Sequence, residues 1–127
     1  MNPRFLDLAE VLEIHQSRID LYGGTHGVRD IGLLQSALAQ PLAGFGQQYF
    51  HADIFEMAAA YLFHLSQNHA FIDGNKRTAL ACSLVFLAYN AIEIEAEFEA
   101  LEELIVDAAQ GHKDKKQIAE FFRKHRI

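Results

Sequence analysis

The sequence of residues 68–78 is Asn68-His69-Ala70-Phe71-Ile72-Asp73-Gly74-Asn75-Lys76-Arg77-Thr78. Residues 54–63 precede this stretch and residues 79–88 follow it, and both flanks are apolar on every face and rich in Ala and Leu. This length and composition predict two buried helices rather than two strands. A charged, glycine-containing loop between two core helices is poorly explained by packing, so the loop is predicted to be a functional site.

The second buried helix is predicted to begin near Asn75. Gly74 gives the backbone the freedom to turn, and Asn is a favourable N-cap. The unpaired N–H groups at a helix N-terminus carry partial positive charge and can bind an anion. Lys76 and Arg77 oppose the dipole of this helix unless an anion is bound. Their placement favours a phosphate ligand over the solvated surface in which a Lys-Arg pair is ordinarily found.

Two groups upstream of the helix add to a set suited to phosphate transfer. His69 could act as a base toward an incoming hydroxyl, and Asp73 could hold a divalent cation against the phosphates. The simpler alternatives are a solvated or capping histidine and an aspartate that only shapes the turn. Phosphate transfer depends on positioning and charge neutralisation, which these residue types supply. The loop is not a P-loop, because it lacks the Gly-x4-Gly-Lys-Ser/Thr spacing.

Residues 69–77 resemble the signature loop of the Fic/Doc family, specifically that of its Doc (death-on-curing) branch. The broader Fic pattern is His-Pro-Phe-x-Asp/Glu-Gly-Asn-Gly-Arg-x-x-Arg. This sequence has Ala70 in place of Pro, Lys76 in place of the second Gly and Leu80 in place of the second Arg. The last two departures match the Doc branch. The similarity extends upstream to Gly23-Gly24, to Gly-x-Arg-Asp at residues 27–30 and to Leu-x-Ser-Ala-Leu at residues 34–38.

The resemblance implies that His69 is the catalytic base, that Asp73 holds Mg²⁺ and that Phe71 anchors the loop in the core. The residues that it implies as contacts of the nucleotide phosphates are Gly74, Asn75, Lys76 and Arg77. Doc proteins transfer a phosphate from a nucleotide to a threonine of elongation factor Tu. The implied cofactors are therefore Mg²⁺ and ATP, or another nucleoside triphosphate, and the implied effect is inhibition of translation. Arg29 is an auxiliary candidate for a further phosphate or substrate contact, with a structural salt bridge as the alternative.

Two other functions compete with this interpretation. AMP transfer to a protein hydroxyl is the usual Fic activity, but Lys76 and the lack of Arg at position 80 disfavour it. A regulatory nucleotide-binding module without turnover is disfavoured by the intact His-Asp-Asn-Lys-Arg set. Fic proteins are often silenced by a Ser/Thr-x-x-x-Glu-Gly/Asn segment, and no Ser or Thr here has Glu four residues later. A separate antitoxin is therefore the expected inhibitory partner of this toxin-like chain.

The predicted fold is all-α, a compact bundle of about six helices whose buried central pair is joined by the signature loop. Helices are also expected at residues 6–22, 31–40, 98–110 and 115–126, and a short extended piece at 92–96. Residues 41–52 contain too many glycines for a helix. By resemblance they form the flap that aligns a target by strand addition, and their aromatic side chains could be exposed or packed in the core. His15 and His64 are interpreted as structural histidines.

Composition limits the remaining possibilities. The 127 residues fit a single domain, residues 1–127. A formal charge of −6 disfavours nucleic acid as a partner. Neither a signal-peptide pattern nor a long uncharged apolar stretch is present, so a cytoplasmic protein without a membrane partner is expected. Cys82 is predicted to be a buried small hydrophobe. The acidic block at residues 93–107 and the basic block at 113–126 are expected to be solvated faces or a partner groove.

Overall fold

The computed structural model describes residues 2–127, which contain six α-helices and one two-stranded sheet. The helices are α1 (Leu8–Tyr22), α2 (Ile31–Ala39), α3 (Ile54–Asn68), α4 (Asn75–Tyr89), α5 (Phe98–Ala109) and α6 (Lys115–Lys124). The strands β1 (Gly44–Phe45) and β2 (Gln48–Tyr49) lie between α2 and α3. The predicted all-α bundle is confirmed, and the four outer helices end within two residues of their predicted bounds.

Helix α3 lies at the centre of the bundle. It contacts α2, α4, α5 and α6, whereas α1 packs against α4. The run Ala58-Ala59-Ala60 in α3 is completely buried, and such small side chains allow neighbouring helices to approach on several sides. The largest fully buried side chains come from α3 and from the elements packed around it, and they include Tyr61, Phe71, Phe86, Phe122, Leu34 and Met57. The predicted central pair, α3 and α4, is joined by residues 69–74.

Aspartate side chains fix where most of the helices begin. Asp7, Asp30, Asp53 and Asp114 each accept a hydrogen bond from the backbone N–H three residues later, at the starts of α1, α2, α3 and α6. Helix α1 therefore starts at Leu8 and not at the predicted position 6. Leu6 is instead a buried residue whose backbone N–H donates to the Tyr61 hydroxyl at 2.9 Å.

The predicted flap forms an antiparallel hairpin, with Gly44 paired to Tyr49 and Phe45 paired to Gln48. Gly44 is required because a Cβ at this position would collide with the Gln48 carbonyl oxygen. Phe45 is 85% exposed and Phe50 is 70% exposed, so these two aromatic side chains project into solvent and not into the core. Tyr49 is less exposed and meets the ring of Phe5 edge-on, with 5.6 Å between the ring centroids.

The predicted extended piece at residues 92–96 pairs with the end of the chain. Ile94 forms an antiparallel bridge with Arg126. Two backbone bonds support the bridge, from Glu95 N to His125 O at 2.9 Å and from Ile127 N to Glu93 O at 3.1 Å. This pairing follows the end of α6 at Lys124, two residues earlier than predicted.

Cys82 is buried in α4, as predicted, and burial raises the pKa of its thiol, so the group stays protonated. Among residues 2–127, no helix has both the length and the apolar character required to cross a bilayer. The acidic residues of the 93–107 block are mostly on the surface, which agrees with a solvated face.

Candidate active site

The loop between α3 and α4 begins at His69, which has a left-handed backbone conformation with φ 50° and ψ 46°. A residue other than glycine pays an energetic cost in this region, so the surrounding structure has to hold it there. The conformation ends α3 and leaves the His69 side chain exposed. The imidazole is therefore accessible to a substrate, which a catalytic base requires.

The loop borders a cavity of about 300 Å³. The residues lining this cavity are His69, Ile72, Asp73, Gly74, Asn75, Lys76, Arg77 and Ala109. All six residues that the sequence predicted for catalysis, metal binding and phosphate binding are thus at one place. Arg29 is the exception among the candidates, since it does not line the cavity. Ile72 in the loop and Ala109 at the end of α5 were not predicted, and their apolar side chains carry no chemical signal that could have identified them.

The backbone of residues 27–30 holds the loop from one side. The Arg29 and Asp30 N–H groups both donate to the Ala70 carbonyl, at 2.8 and 3.0 Å, and Val28 forms an antiparallel bridge with Phe71. The Arg29 guanidinium donates from Nε to the His69 carbonyl at 2.8 Å. The structure therefore places Arg29 on the loop backbone, and within residues 2–127 it makes no ion pair of the kind offered as the alternative.

The Asp73 carboxylate is held by two backbone N–H groups. Thr25 donates to Oδ2 at 3.1 Å and Gly74 donates to Oδ1 at 2.9 Å. These bonds favour the ionised form and keep the pKa of Asp73 below its usual range. Gly24 permits this approach, because a Cβ there would lie 2.6 Å from Asp73 Oδ2. Asp73 thus presents an ionised carboxylate to the cavity at neutral pH.

Gly74 and not Asn75 is the N-cap of α4, in contrast to the prediction. Gly74 has φ 74°, which suits glycine, and a Cβ at this position would lie 2.9 Å from Ile19 Cδ1. No side chain within residues 2–127 caps the first turn of α4. This end differs from the four aspartate-capped helices, and the residues of its uncapped first turn line the cavity, where an anion site would need them.

The Asn75 side chain closes the loop instead of capping the helix. Its Nδ2 donates to the Phe71 carbonyl and its Oδ1 accepts from the Phe71 N–H, both at 3.0 Å. Phe71 itself is buried, which agrees with its predicted role as an anchor. One N–H of the side-chain amide is engaged in this way, so the backbone N–H and the second N–H of Nδ2 remain to bind a ligand.

The two cations of the loop have different surroundings. Lys76 is exposed, and its ammonium group has no ion-pair or hydrogen-bond partner within the described chain. Arg77 donates from Nη1 to the Gly23 carbonyl at 3.1 Å, and its guanidinium carbon lies 5.9 Å from the centre of the Tyr22 ring. Arg77 is therefore fixed at the end of α1, whereas Lys76 is free to move toward a ligand.

A metal would need ligands beyond those of the protein. Within residues 2–127 no three His, Cys, Asp or Glu side chains are grouped as a metal site. Mg²⁺ is commonly held by one or two carboxylates together with substrate phosphates and water. Asp73, ionised and beside the uncapped end of α4, fits that manner of binding.

The sequence of the chain is similar to those of known proteins. A model of the Fic/DOC family matches residues 5–87. A protein named "Toxin Doc" from Mycolicibacterium smegmatis is 39% identical over 100 residues, which cover 77% of this chain and 77% of that protein. A protein named "Protein kinase doc" from Escherichia phage P1 is 32% identical over 121 residues, which cover 95% of this chain and 94% of that protein.

Proposed function

The chain belongs to the Fic/DOC family, within its Doc toxin branch, and on that premise we propose that it is a toxin that transfers phosphate to a protein. The donor is Mg²⁺-ATP or another nucleoside triphosphate, and the acceptor is a threonine hydroxyl of elongation factor Tu. The effect is inhibition of translation. The kinase named among its relatives supports this assignment. One observation of the structure carries it: the exposed His69, the ionised Asp73 and the uncapped start of α4 border one cavity.

The reaction requires a proton acceptor next to an anion site. His69 takes the proton of the threonine hydroxyl as its oxygen bonds to the γ-phosphorus, and the bond between that phosphorus and the bridging oxygen breaks to release the nucleoside diphosphate. Lys76, Arg77 and the backbone N–H groups of α4 stabilise the negative charge that is transferred. Asp73 would hold the Mg²⁺, which would supply neutralisation of the phosphate charge.

The decisive experiment replaces His69 with Ala and follows phosphate transfer from ATP labelled at the γ-position to purified elongation factor Tu. Loss of the general base should reduce the rate by about 10²–10⁴-fold. Because the His69 side chain is exposed, the melting temperature should change little. His112 is also exposed but lies outside the cavity, so His112→Ala is the matched control and should retain full activity. An H69A variant with wild-type activity would overturn the mechanism.

The position of the label separates the competing functions. ATP labelled at the α-phosphate should leave the target unlabelled, whereas transfer of that label would show AMP transfer instead. A wild-type chain that binds Mg²⁺-ATP and labels no target with either nucleotide would be a regulatory module. An antitoxin is proposed as the inhibitory partner, and its co-expression should restore the growth of bacteria that expression of this chain arrests.

A further inference from the structure

His15 of α1 is a buried polar side chain that reaches the loop from outside it. It is 4% exposed, and its ring lies parallel to that of Phe71, with 3.9 Å between centroids and 7° between planes. Its Nε2 lies 2.9 Å from the Asp73 carbonyl oxygen, to which it donates a hydrogen bond. The other buried polar side chains differ: Ser66 and Ser83 bond carbonyls of their own helices, and the Thr78 hydroxyl has no partner within residues 2–127.

The bond from His15 to the Asp73 carbonyl fixes the orientation of the whole Asp73–Gly74 peptide. The carbonyl of Asp73 and the N–H of Gly74 belong to the same planar peptide unit, so they point in opposite directions. Holding the carbonyl toward His15 directs the Gly74 N–H away from α1. That N–H donates to Asp73 Oδ1 at 2.9 Å. His15 therefore orients the peptide whose N–H positions the Asp73 carboxylate.

This peptide needs an external restraint because glycine follows it. Gly74 has φ 74°, and glycine adopts positive and negative φ about equally well. The Asp73–Gly74 peptide could therefore rotate at little cost if nothing held its carbonyl. Rotation would remove the N–H from Oδ1 and turn the Asp73 carbonyl toward the carboxylate. A larger residue at position 74 cannot supply the restraint, since its Cβ would lie 2.9 Å from Ile19 Cδ1.

We propose that His15 is a positioning residue of the active site, which fixes the Asp73–Gly74 peptide in the orientation that binding of a Mg²⁺-nucleotide requires. The proposal rests on the proposed function, since that function supplies the ligand. It assigns to a buried histidine of α1 a task at a site whose cavity-lining residues lie mostly between positions 69 and 77.

Two substitutions test the hydrogen-bond donor of His15 independently of the stacking of its ring. His15→Gln places an amide N–H near the position of Nε2 and should keep the bond to Asp73. His15→Phe keeps the stacking on Phe71 but removes the donor. Binding of Mg²⁺ with a non-hydrolysable ATP analogue is measured by calorimetry, and the Gly74 amide is observed by ¹⁵N NMR without ligand. H15F should bind about 10-fold more weakly and shift or broaden the Gly74 signal, whereas H15Q should resemble the wild type.

A third variant controls for general destabilisation of α1. Val11 is fully buried one turn before His15, so Val11→Ala should lower the melting temperature and leave both affinity and the Gly74 signal unchanged. The proposal is overturned if H15F retains the wild-type affinity and the wild-type Gly74 signal. Should H15F fail to fold, His15→Asn replaces it, because its shorter side chain cannot reach the Asp73 carbonyl, and the same two measurements decide.

The two readouts also distinguish this proposal from the one it depends on. A wild-type chain without affinity for the Mg²⁺-nucleotide would overturn the proposed function. The Gly74 signal would still test His15, because it is recorded without ligand. An unchanged signal in H15F would then overturn the positioning role by itself.

Discussion

Two asparagine side chains make the same kind of contact at the two ends of α4. Asn75 bonds both the N–H and the carbonyl of Phe71. Asn90 bonds the N–H and the carbonyl of Arg4, at 2.9 and 3.0 Å. Each side-chain amide thus acts as an additional backbone unit that fixes a neighbouring segment. Only Asn75 lies beside the cavity. Substitution of each asparagine therefore shows whether such a contact affects ligand binding as well as stability.

Asn75→Ala should lower both stability and nucleotide affinity. Loss of two hydrogen bonds to a partly buried backbone should reduce the free energy of unfolding by about 1–3 kcal/mol, measured by urea denaturation. The loop from Phe71 to Gly74 would also lose the contact that holds its two ends together, so calorimetry should show weaker binding of Mg²⁺-ATP. Asn90→Ala also removes a bond to the Phe86 carbonyl, so it should cost at least as much stability and leave binding unchanged. Equal affinities for the two variants would contradict a specific role of Asn75 in shaping the site.

The sequence was sufficient to predict six of the seven cavity residues that lie close together along the chain, Ile72 being the exception. Residues 69–77 carry their chemistry in one continuous stretch, so no knowledge of tertiary contacts was needed. His15 and Thr25 contact Asp73 across 58 and 48 residues of sequence. The Thr25 contact uses the backbone N–H, which every residue except proline has, and His15 has the appearance of any core histidine on a helical stripe. Such contacts depend on packing that periodicity does not define.

At the scale of secondary-structure elements, α3 and α6 meet through a titratable pair. The Lys115 ammonium donates a hydrogen bond to Nε2 of His64, with 3.1 Å between the two nitrogen atoms. Burial, the charge of Lys115 and the proximity of His51 lower the pKa of His64 to about 4. Burial and Lys115 also lower the pKa of His51. Both histidines are therefore neutral in the folded chain at pH values where the unfolded chain protonates them.

Stability should fall on mild acidification because of this pair. The unfolded chain binds a proton at His64 near its ordinary pKa of 6.5, and the folded chain does so only near 4. The contribution of His64 to the free energy of unfolding is therefore greatest above pH 6.5 and decreases as the pH drops from 6.5 toward 4. Since His64 is half-buried, the decrease after allowance for solvent screening is roughly 1–2 kcal/mol. Urea denaturation at pH 7.5 and pH 5 measures it.

Two variants test the origin of this pH dependence. His64→Gln cannot titrate and should lose most of the decrease, with a remainder due to His51. Lys115→Met removes the neighbouring charge, which should raise the pKa of His64 and make the decrease smaller. The exposed His112 supplies the control, because H112Q should leave the pH dependence as it is in the wild type. A decrease of the same size in H64Q would exclude His64 as its source.

Most element boundaries followed from local signals, and the errors have local causes. Aspartate caps and proline or glycine stops are visible in the sequence, which is why the bounds of the four outer helices were predicted to within two residues. The N-cap of α4 was assigned to Asn75 because Asn is a favourable capping residue. In the structure Asn75 instead satisfies the Phe71 backbone, and Gly74 takes the cap position. The choice between these two partners depends on the path of the loop, which no propensity describes.

At the scale of the whole molecule, the proposed nucleotide site and the predicted flap are built on different parts of the chain. The cavity lies mainly on the loop between α3 and α4 and is braced by α1 and residues 27–30. The flap hairpin lies between α2 and α3, and within the described chain each of its strands has one unpaired edge. Such an edge can accept an extended segment of another protein through backbone hydrogen bonds. Nucleotide binding and target binding should therefore be separable by mutation.

The exposed aromatic residues of the flap provide that separation. Phe45→Ser combined with Phe50→Ser removes two side chains that are 85% and 70% exposed, so the melting temperature and the affinity for Mg²⁺-ATP should stay at wild-type values. Labelling of elongation factor Tu should fall by about 10-fold or more, because exposed aromatic anchors dominate many protein interfaces. The fall should appear mainly in the KM for the protein target, with little change in kcat at saturating target.

A matched substitution shows whether location or mere exposure matters. Phe98 at the start of α5 is 73% exposed, comparable to the flap residues, and F98S should leave labelling unchanged. If the flap variant labels the target at the wild-type rate, the target does not bind through these side chains, and the strand edge alone or another surface must align it. If F98S is impaired equally, the acidic face that carries Phe98 takes part in target binding. Only a defect confined to the flap variant fits a division of the chain into a nucleotide-binding core and a target-binding hairpin.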